Sequence, residues 1–308
     1  MTSVAAARTG EARNGDIRLV YEVHGDVERG RPLLLICGLG QQLVGWHPDL
    51  LAALVDRGHA VAIFDNRDVG LSTHLDGVPV DFKAIRSGAP APYLVADMAA
   101  DAHAVLTAVG WSSAHVAGGS LGGMIAQAVA IAVPERVRSL ISVMSTTGDR
   151  AVGRPAPGMM SILVDAPPPE REAYLEHQVR IGRQLGSPVY PAPEQELRAA
   201  AARAYDRAFD PRGVGRQFGA ILGSPDRTAA LQALRVPALV IHGRADRLVD
   251  VSGAEATAAA LHARLLVLDG MAHDLPRPLW PQLLQAITDF TAEVDRDRDP
   301  RSPAGRAD

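Results

Sequence analysis

The chain has 308 residues, enough for one large α/β domain or a core carrying a modest insertion. With 47% hydrophobic and 21% charged residues it reads as an ordinary soluble globule, and a formal net charge of -4 gives no electrostatic reason to expect nucleic acid or an anionic membrane as partner. A single cysteine, Cys37, excludes an intramolecular disulfide and a cysteine-based zinc cluster; no apolar run reaches the ~18 residues of a membrane helix and no signal-peptide pattern opens the chain, so a cytoplasmic location without stable membrane insertion is the default expectation.

Residues 1–14 are polar and read as a flexible terminus. A half-exposed strand follows at 17–24, with Ile17, Leu19, Tyr21 and Val23 on one face. The continuous apolar run 32–37, closed by Gly38-Leu39-Gly40, reads as a fully buried strand. Residues 46–55 have helical period. A second buried strand at 60–64 ends in the turn Asp65-Asn66-Arg67-Asp68-Val69-Gly70-Leu71-Ser72, where Arg67 and Asp68 are expected to pair. A long helix is predicted over 94–109, from the stripe Leu94, Met98, Ala102, Val105 and Leu106. A short strand at 114–117 leads into a helix at 124–132, and the next strand covers 137–144. The alternation then stops. Residues 149–226 carry proline clusters between arginine-rich helical pieces at 169–185 and 194–209, with no buried strand pattern, and read as a mainly helical lid. The rhythm resumes with a helix at 229–234, a strand at 237–242, a helix at 252–261, a strand at 264–268 and a helix at 279–294. The charged tail from Asp295 is expected to be disordered. The architecture implied is a mostly parallel twisted sheet with helices on both faces. Its core spans 15–148 and 227–293, its lid 149–226, and its flexible ends 1–14 and 294–308.

The stretch Gly118-Gly119-Ser120-Leu121-Gly122 sits between a strand and a helix, which is the context that gives G-x-S-x-G its meaning: a sharp turn that lifts a serine hydroxyl clear of the sheet. A serine hydroxyl is a poor nucleophile at neutral pH. It needs an imidazole to take its proton and a carboxylate to fix the imidazole tautomer. His273 follows the last strand and Asp246 the one before it, each where an open α/β sheet places its active residues. Asp250, Asp269 and Asp274 stand near enough in sequence to compete with Asp246. Asp250 suits a helix N-terminus, and Asp269 lies at the strand end itself. His24, His47, His74, His115 and His242 read as structural or surface residues, and Cys37 as a buried residue ending a strand. The oxyanion donors expected are the backbone N–H groups of Leu121 and Leu39. No phosphate-loop or dinucleotide pattern and no metal-ligand spacing is present, so neither cofactor nor metal is expected. Trp46, Met159, Met160, Ile162, Leu163 and Met271 are candidates for an apolar substrate pocket, unless they simply pack the lid on the core.

Five segments in this order resemble the α/β-hydrolase superfamily: Cys37-Gly38-Leu39-Gly40, Asp65 through Ser72, the Ser120 elbow, Gly243-Arg244-Ala245-Asp246 and Gly270-Met271-Ala272-His273. The Asp65 turn, Met144-Ser145-Thr146-Thr147 and the stretch after Gly270 look like actinobacterial esterase/lipase-type hydrolases of the aclacinomycin methylesterase kind. That resemblance implies the α/β-hydrolase fold, with Ser120 as nucleophile, Asp246 as acid and His273 as base. It also implies a small-molecule carboxylic ester as substrate, such as a polyketide methyl ester or an apolar acyl ester. Cys37 departs from the histidine many members carry there. The same triad also serves C–C bond hydrolysis and cofactor-free perhydrolysis of the haloperoxidase type. A ligand-binding receptor of low turnover is the alternative from another class. Neither the ester nor the oligomeric state is legible in the chain.

Overall fold

The computed structural model describes residues 7–298. Eight strands form one sheet in the order β1-β2-β4-β3-β5-β6-β7-β8. They are β1 (Arg8–Asn14), β2 (Ile17–His24), β3 (Arg31–Ile36), β4 (His59–Phe64), β5 (Ala114–Gly119), β6 (Val137–Val143), β7 (Ala238–Gly243) and β8 (Arg264–Leu268). From β4 to β8 every neighbouring pair is parallel; β2 runs antiparallel to both β1 and β4. The helices are α1 (Pro48–Asp56), α2 (Phe82–Arg86), α3 (Val95–Val109), α4 (Leu121–Ala132), α5 (Met159–Val164), α6 (Arg171–Leu185), α7 (Glu194–Arg207), α8 (Pro211–Gly223), α9 (Thr228–Gln232), α10 (Ser252–Leu261) and α11 (Trp280–Arg298).

Helices on both faces explain why the central strands are apolar throughout rather than alternating. On β3, Leu34 and Ile36 meet Met98, Val105 and Leu106 of α3 and Ile125 and Val129 of α4. Leu33 and Leu35 point the other way, onto Leu50 and Leu54 of α1 and Leu283 and Ile287 of α11. Each such side chain, removed from water, contributes roughly 1.5–3 kcal/mol. The parallel strands also share a direction, which brings the loops after β3, β5, β6, β7 and β8 to one edge. Between β6 and α9 lie α5 to α8, with no strand among the described residues.

Three sequence expectations give way here. Residues 8–14 form the antiparallel edge strand β1 rather than a loose end. Only Ala12 of that strand is buried, so its pairing with β2 leaves no hydrophobic alternation to read. Helix α11 continues past residue 294 to Arg298, and Asp295 anchors it instead of opening a tail. Its carboxylate meets Arg31 at 3.1 Å and both His115 and Arg138 at 3.2 Å. Burial works against that charge, but the His115, Arg138 and Arg31 contacts overcome it and hold the carboxyl down at about 2. The remaining parts of the two predicted flexible ends, 1–6 and 299–308, lie outside the described residues. Arg67 and Asp68, lastly, do not pair with each other. Arg67 forks onto Asp101 at 2.6 and 2.7 Å, while Asp68 meets Arg216 of α8 at 2.7 Å. Adjacent residues at a strand end point apart, so each finds a partner on a different helix.

Candidate active site

Ser120 ends the β5–α4 turn with φ 55° and ψ −120°, a conformation that costs a non-glycine residue about 1–3 kcal/mol. The surrounding backbone over-determines it. Its N–H donates to the Val143 carbonyl at 2.9 Å, and its own carbonyl accepts from Gly123 N–H at 2.9 Å and from the Ser145 hydroxyl at 2.7 Å. The flanking glycines are required by close approach. A Cβ on Gly118 would lie 2.1 Å from the Gly122 carbonyl oxygen, and one on Gly122 would lie 2.1 Å from that of Ile36. Side chains at either position would drive α4 off the sheet.

Three loops converge on this serine. The Ser120 hydroxyl lies 3.0 Å from Nε2 of His273, and Nδ1 of His273 lies 2.7 Å from Oδ2 of Asp246. The carboxylate fixes the imidazole proton on Nδ1 and leaves Nε2 free to accept. Asp246 is itself held rigidly, since its Oδ1 accepts the N–H groups of Leu248 at 2.8 Å and Val249 at 2.9 Å. Burial alone would raise its pKa. The neighbouring His242 and His273 imidazoles and the Val249 N–H outweigh burial and hold the carboxyl well below the usual range. The loops after β7 and β8 are stitched together by Ala245 N–H to the Met271 carbonyl at 2.9 Å and Arg244 N–H to that of Leu268 at 3.1 Å.

The competing carboxylates go elsewhere. Asp269 is exposed and pairs with Arg244 at 2.7 Å. Asp250 accepts from Ser252 N–H at 3.0 Å at the start of α10. Asp274 is bound to the Ser187 hydroxyl, and burial raises its pKa despite that bond. The 38–40 turn adjoins the serine, because a Cβ on Gly38 would stand 3.6 Å from Ser120 Cβ. Among the described residues, no protein acceptor takes the N–H of Leu39 or of Leu121.

The pocket candidates separate. Met271 is 1% exposed and packs with Leu283 and Ile287 in the α1–α11 layer, and Trp46 lies against the same layer. Met159, Ile162 and Leu163 cluster instead with Leu248 and Val249, just beyond Asp246. A cavity of about 470 Å³ between α5, α6 and the loops after β7 and β8 is lined by Met159 and Ile162 together with Ala245 and Ala272, but not by Ser120, Met160, Leu163, Trp46 or Met271.

Sequence reasoning passed over several residues that touch these loops. His242, read as structural, is fully buried; its Nε2 donates to the Val249 carbonyl at 2.8 Å and stands 3.4 Å from Asp246 Oδ2. Its four-residue spacing from Asp246 was the available signal. Ser145 stood inside the Met144-Ser145-Thr146-Thr147 stretch that carries the resemblance, whereas Ser187 and Gln217 left no signal beyond their residue type.

A model of the alpha/beta hydrolase fold matches residues 31–276, and the chain belongs to that family. It is 30% identical over 302 residues to rhodomycin D methylesterase DnrP of Streptomyces peucetius, covering 90% of this chain and 96% of that one. A more local likeness, 39% over 132 residues and 43% of each chain, is to RutD of Azorhizobium caulinodans, a protein named for carbamate hydrolysis. In fold it is similar to the esterase RhEst1 from Rhodococcus sp. ECU1013, with a TM-score of 0.73 and 22% identity over 94% of this chain and 99% of that one. The chain is thus an α/β hydrolase with esterase-named relatives. No helix of the described residues is long and apolar enough to cross a membrane.

Proposed function

We propose that this protein hydrolyses a carboxylic ester through an acyl-enzyme intermediate. Ser120 Oγ attacks the acyl carbon while His273 Nε2 takes its proton, and the Leu39 and Leu121 N–H groups hold the tetrahedral oxyanion. Asp246 stabilises the imidazolium without itself becoming protonated. His273 then gives the proton to the departing alkoxide, the C–O bond breaks, and an alcohol leaves. A water deprotonated by the same imidazole attacks the acyl carbon, releasing the acid and restoring the serine. The observation that carries this reading is the unbroken line from Ser120 Oγ to His273 to Asp246, at 3.0 and 2.7 Å, on a serine held in elbow geometry.

The substrate we favour is an apolar methyl ester on a polyketide-like acid, on the strength of end-to-end similarity to a rhodomycin methylesterase. In this reading residues 149–226 form the lid over the site. The decisive experiment is fluorophosphonate labelling competed by a panel of aromatic methyl esters, acyl esters and carbamates, with steady-state kinetics on the best competitor. Ser120→Ala should abolish labelling and lower kcat by on the order of 10⁴–10⁶ while leaving the fold intact. Turnover at the wild-type rate in that variant would refute the mechanism.

A further inference from the structure

The helical insertion reaches the loops on both sides of Ser120. On the base side, three consecutive residues around His273 are tied to the end of α6. The His273 N–H donates to the Leu185 carbonyl at 3.0 Å, Ala272 N–H donates to Ser187 Oγ at 2.9 Å, and the Ser187 hydroxyl donates to Asp274 Oδ1. Ser187 is 1% exposed, so water does not replace it in either bond. On the oxyanion side, Gln217 of α8 is fully buried. Its Oε1 accepts Gly40 N–H at 2.9 Å, and its Nε2 donates to the Arg67 carbonyl at 2.8 Å. Gln42, just beyond that turn, donates to the Ala204 and Ala208 carbonyls at 2.8 Å each and accepts from Arg207 at 2.9 Å.

We infer that Ser187 and Gln217 are positioning residues, through which the insertion sets the His273 loop and the 38–40 turn against Ser120. The inference rests on the reading of Ser120 as nucleophile and His273 as its base. Neither side chain reaches the reacting atoms. Each accepts a backbone N–H next to a residue that does, buried at Ala272 and half-buried at Gly40, and each is anchored outside the sheet. Buried N–H groups without a partner are costly, so the loops settle where these two side chains offer acceptors. The sheet fixes Ser120 by its own backbone. It does not do the same for the 38–40 turn, whose Gly38 and Gly40 N–H groups both end on glutamine side chains, Gln41 and Gln217.

The test measures the second-order rate of fluorophosphonate labelling at Ser120, together with backbone amide exchange at positions 40 and 272. Ser187→Ala and Gln217→Ala should each label roughly tenfold to a hundredfold more slowly than wild type, at a temperature where both are folded. Exchange should quicken at Ala272 in the first variant only and at Gly40 in the second only. Ser187→Thr, which keeps the accepting oxygen, should recover most of the labelling rate, and Gln217→Met, which keeps bulk but loses both amide hydrogen bonds, should label as slowly as Gln217→Ala. Wild-type labelling in either alanine variant or in Gln217→Met, or loss that Ser187→Thr does not reverse, would overturn the role of that residue. If an alanine variant does not fold, Ser187→Cys, which keeps bulk but loses the strong acceptor, and Gln217→Met carry the same readout. Absence of label on wild-type Ser120 would defeat the nucleophile reading separately, since amide exchange reports the tethers whatever the serine does.

Discussion

The sheet and the helical insertion hold their parts of the site by different means. On the sheet side, backbone groups do most of the holding. The Ser120 turn is closed by the Val143 carbonyl and the Gly123 N–H, and one Asp246 oxygen is filled by the Leu248 and Val249 N–H groups. The insertion adds to a few backbone bonds, such as His273 N–H to the Leu185 carbonyl, a larger set of side-chain anchors, many of them charged. Arg207 reaches the fully buried Asp65 at 2.7 Å, and Arg216, 2% exposed, reaches Asp68 at 2.7 Å and Asp210 at 3.1 Å. Backbone anchoring resists substitution everywhere except where a Cβ intrudes. Side-chain anchoring can be cut by one mutation. The two regions should therefore fail in different ways.

The largest effect is expected on the sheet side and in chemistry rather than stability. Asp246→Asn should lower kcat by about 10⁴, because an amide facing Nδ1 favours the wrong imidazole tautomer while its carbonyl can still accept from Leu248 and Val249. Asp250→Asn and Asp269→Asn, measured alongside by steady-state kinetics, should stay near wild type, since one accepts the Ser252 N–H at the start of α10 and the other pairs with Arg244 in solvent. A near-wild-type kcat in Asp246→Asn would assign the acid elsewhere.

The next effect falls on the insertion and in stability. Arg216→Met leaves the Asp68 carboxylate buried with only the Leu75 N–H and the Tyr93 hydroxyl for company. Removing one partner of a buried pair typically costs about 3–5 kcal/mol, read here from urea unfolding. Adding Asp68→Asn to Arg216→Met should return much of the loss, because the stranded charge is then gone while asparagine tolerates the φ of 71° and its amide oxygen still accepts a hydrogen bond. A single variant as stable as wild type would show that the insertion is held by its apolar contacts instead.

This contrast also explains what could be read from the chain before its fold was known. Glycines at 118 and 122 are demanded by a 2.1 Å approach, and buried parallel strands must be apolar on both faces, so the elbow, the strands and the order Ser120, Asp246, His273 all leave local patterns. Asp68 and Arg216 stand 148 positions apart and Gly40 and Gln217 stand 177 apart, and no spacing rule joins them. Pairing Arg67 with Asp68 was the local guess where both partners were distant. The edge strand β1 escaped for the opposite reason: it is local, but it buries almost nothing.

The smallest expected effect is a dependence on pH that starts from a buried histidine of the sheet region. His59 begins β4, at the end of the sheet away from Ser120, and is 1% exposed. Nδ1 faces the Leu54 carbonyl at 3.1 Å and Nε2 the Thr291 hydroxyl at 2.9 Å. Burial lowers its pKa from 6.5 to about 4, with Arg31 and His115 acting in the same direction against the Leu54 carbonyl. Between those values the unfolded chain binds a proton that the folded chain refuses, so acid favours unfolding. The contribution is fully present above 6.5 and is lost as pH falls toward 4, amounting to about 3 kcal/mol. His59→Gln should flatten that part of the profile of unfolding free energy against pH. Around α8 the histidine present is His74, which pairs with Asp210 at 2.8 Å; against burial, the Gly70 carbonyl and Asp210 raise its pKa, so its contribution is kept rather than lost as pH falls below 6.5. The acid loss should therefore appear as release of α1 and α11 from the sheet while amide protection in α8 persists. Simultaneous loss of protection in both places would mean that the two regions, though anchored differently, unfold as one.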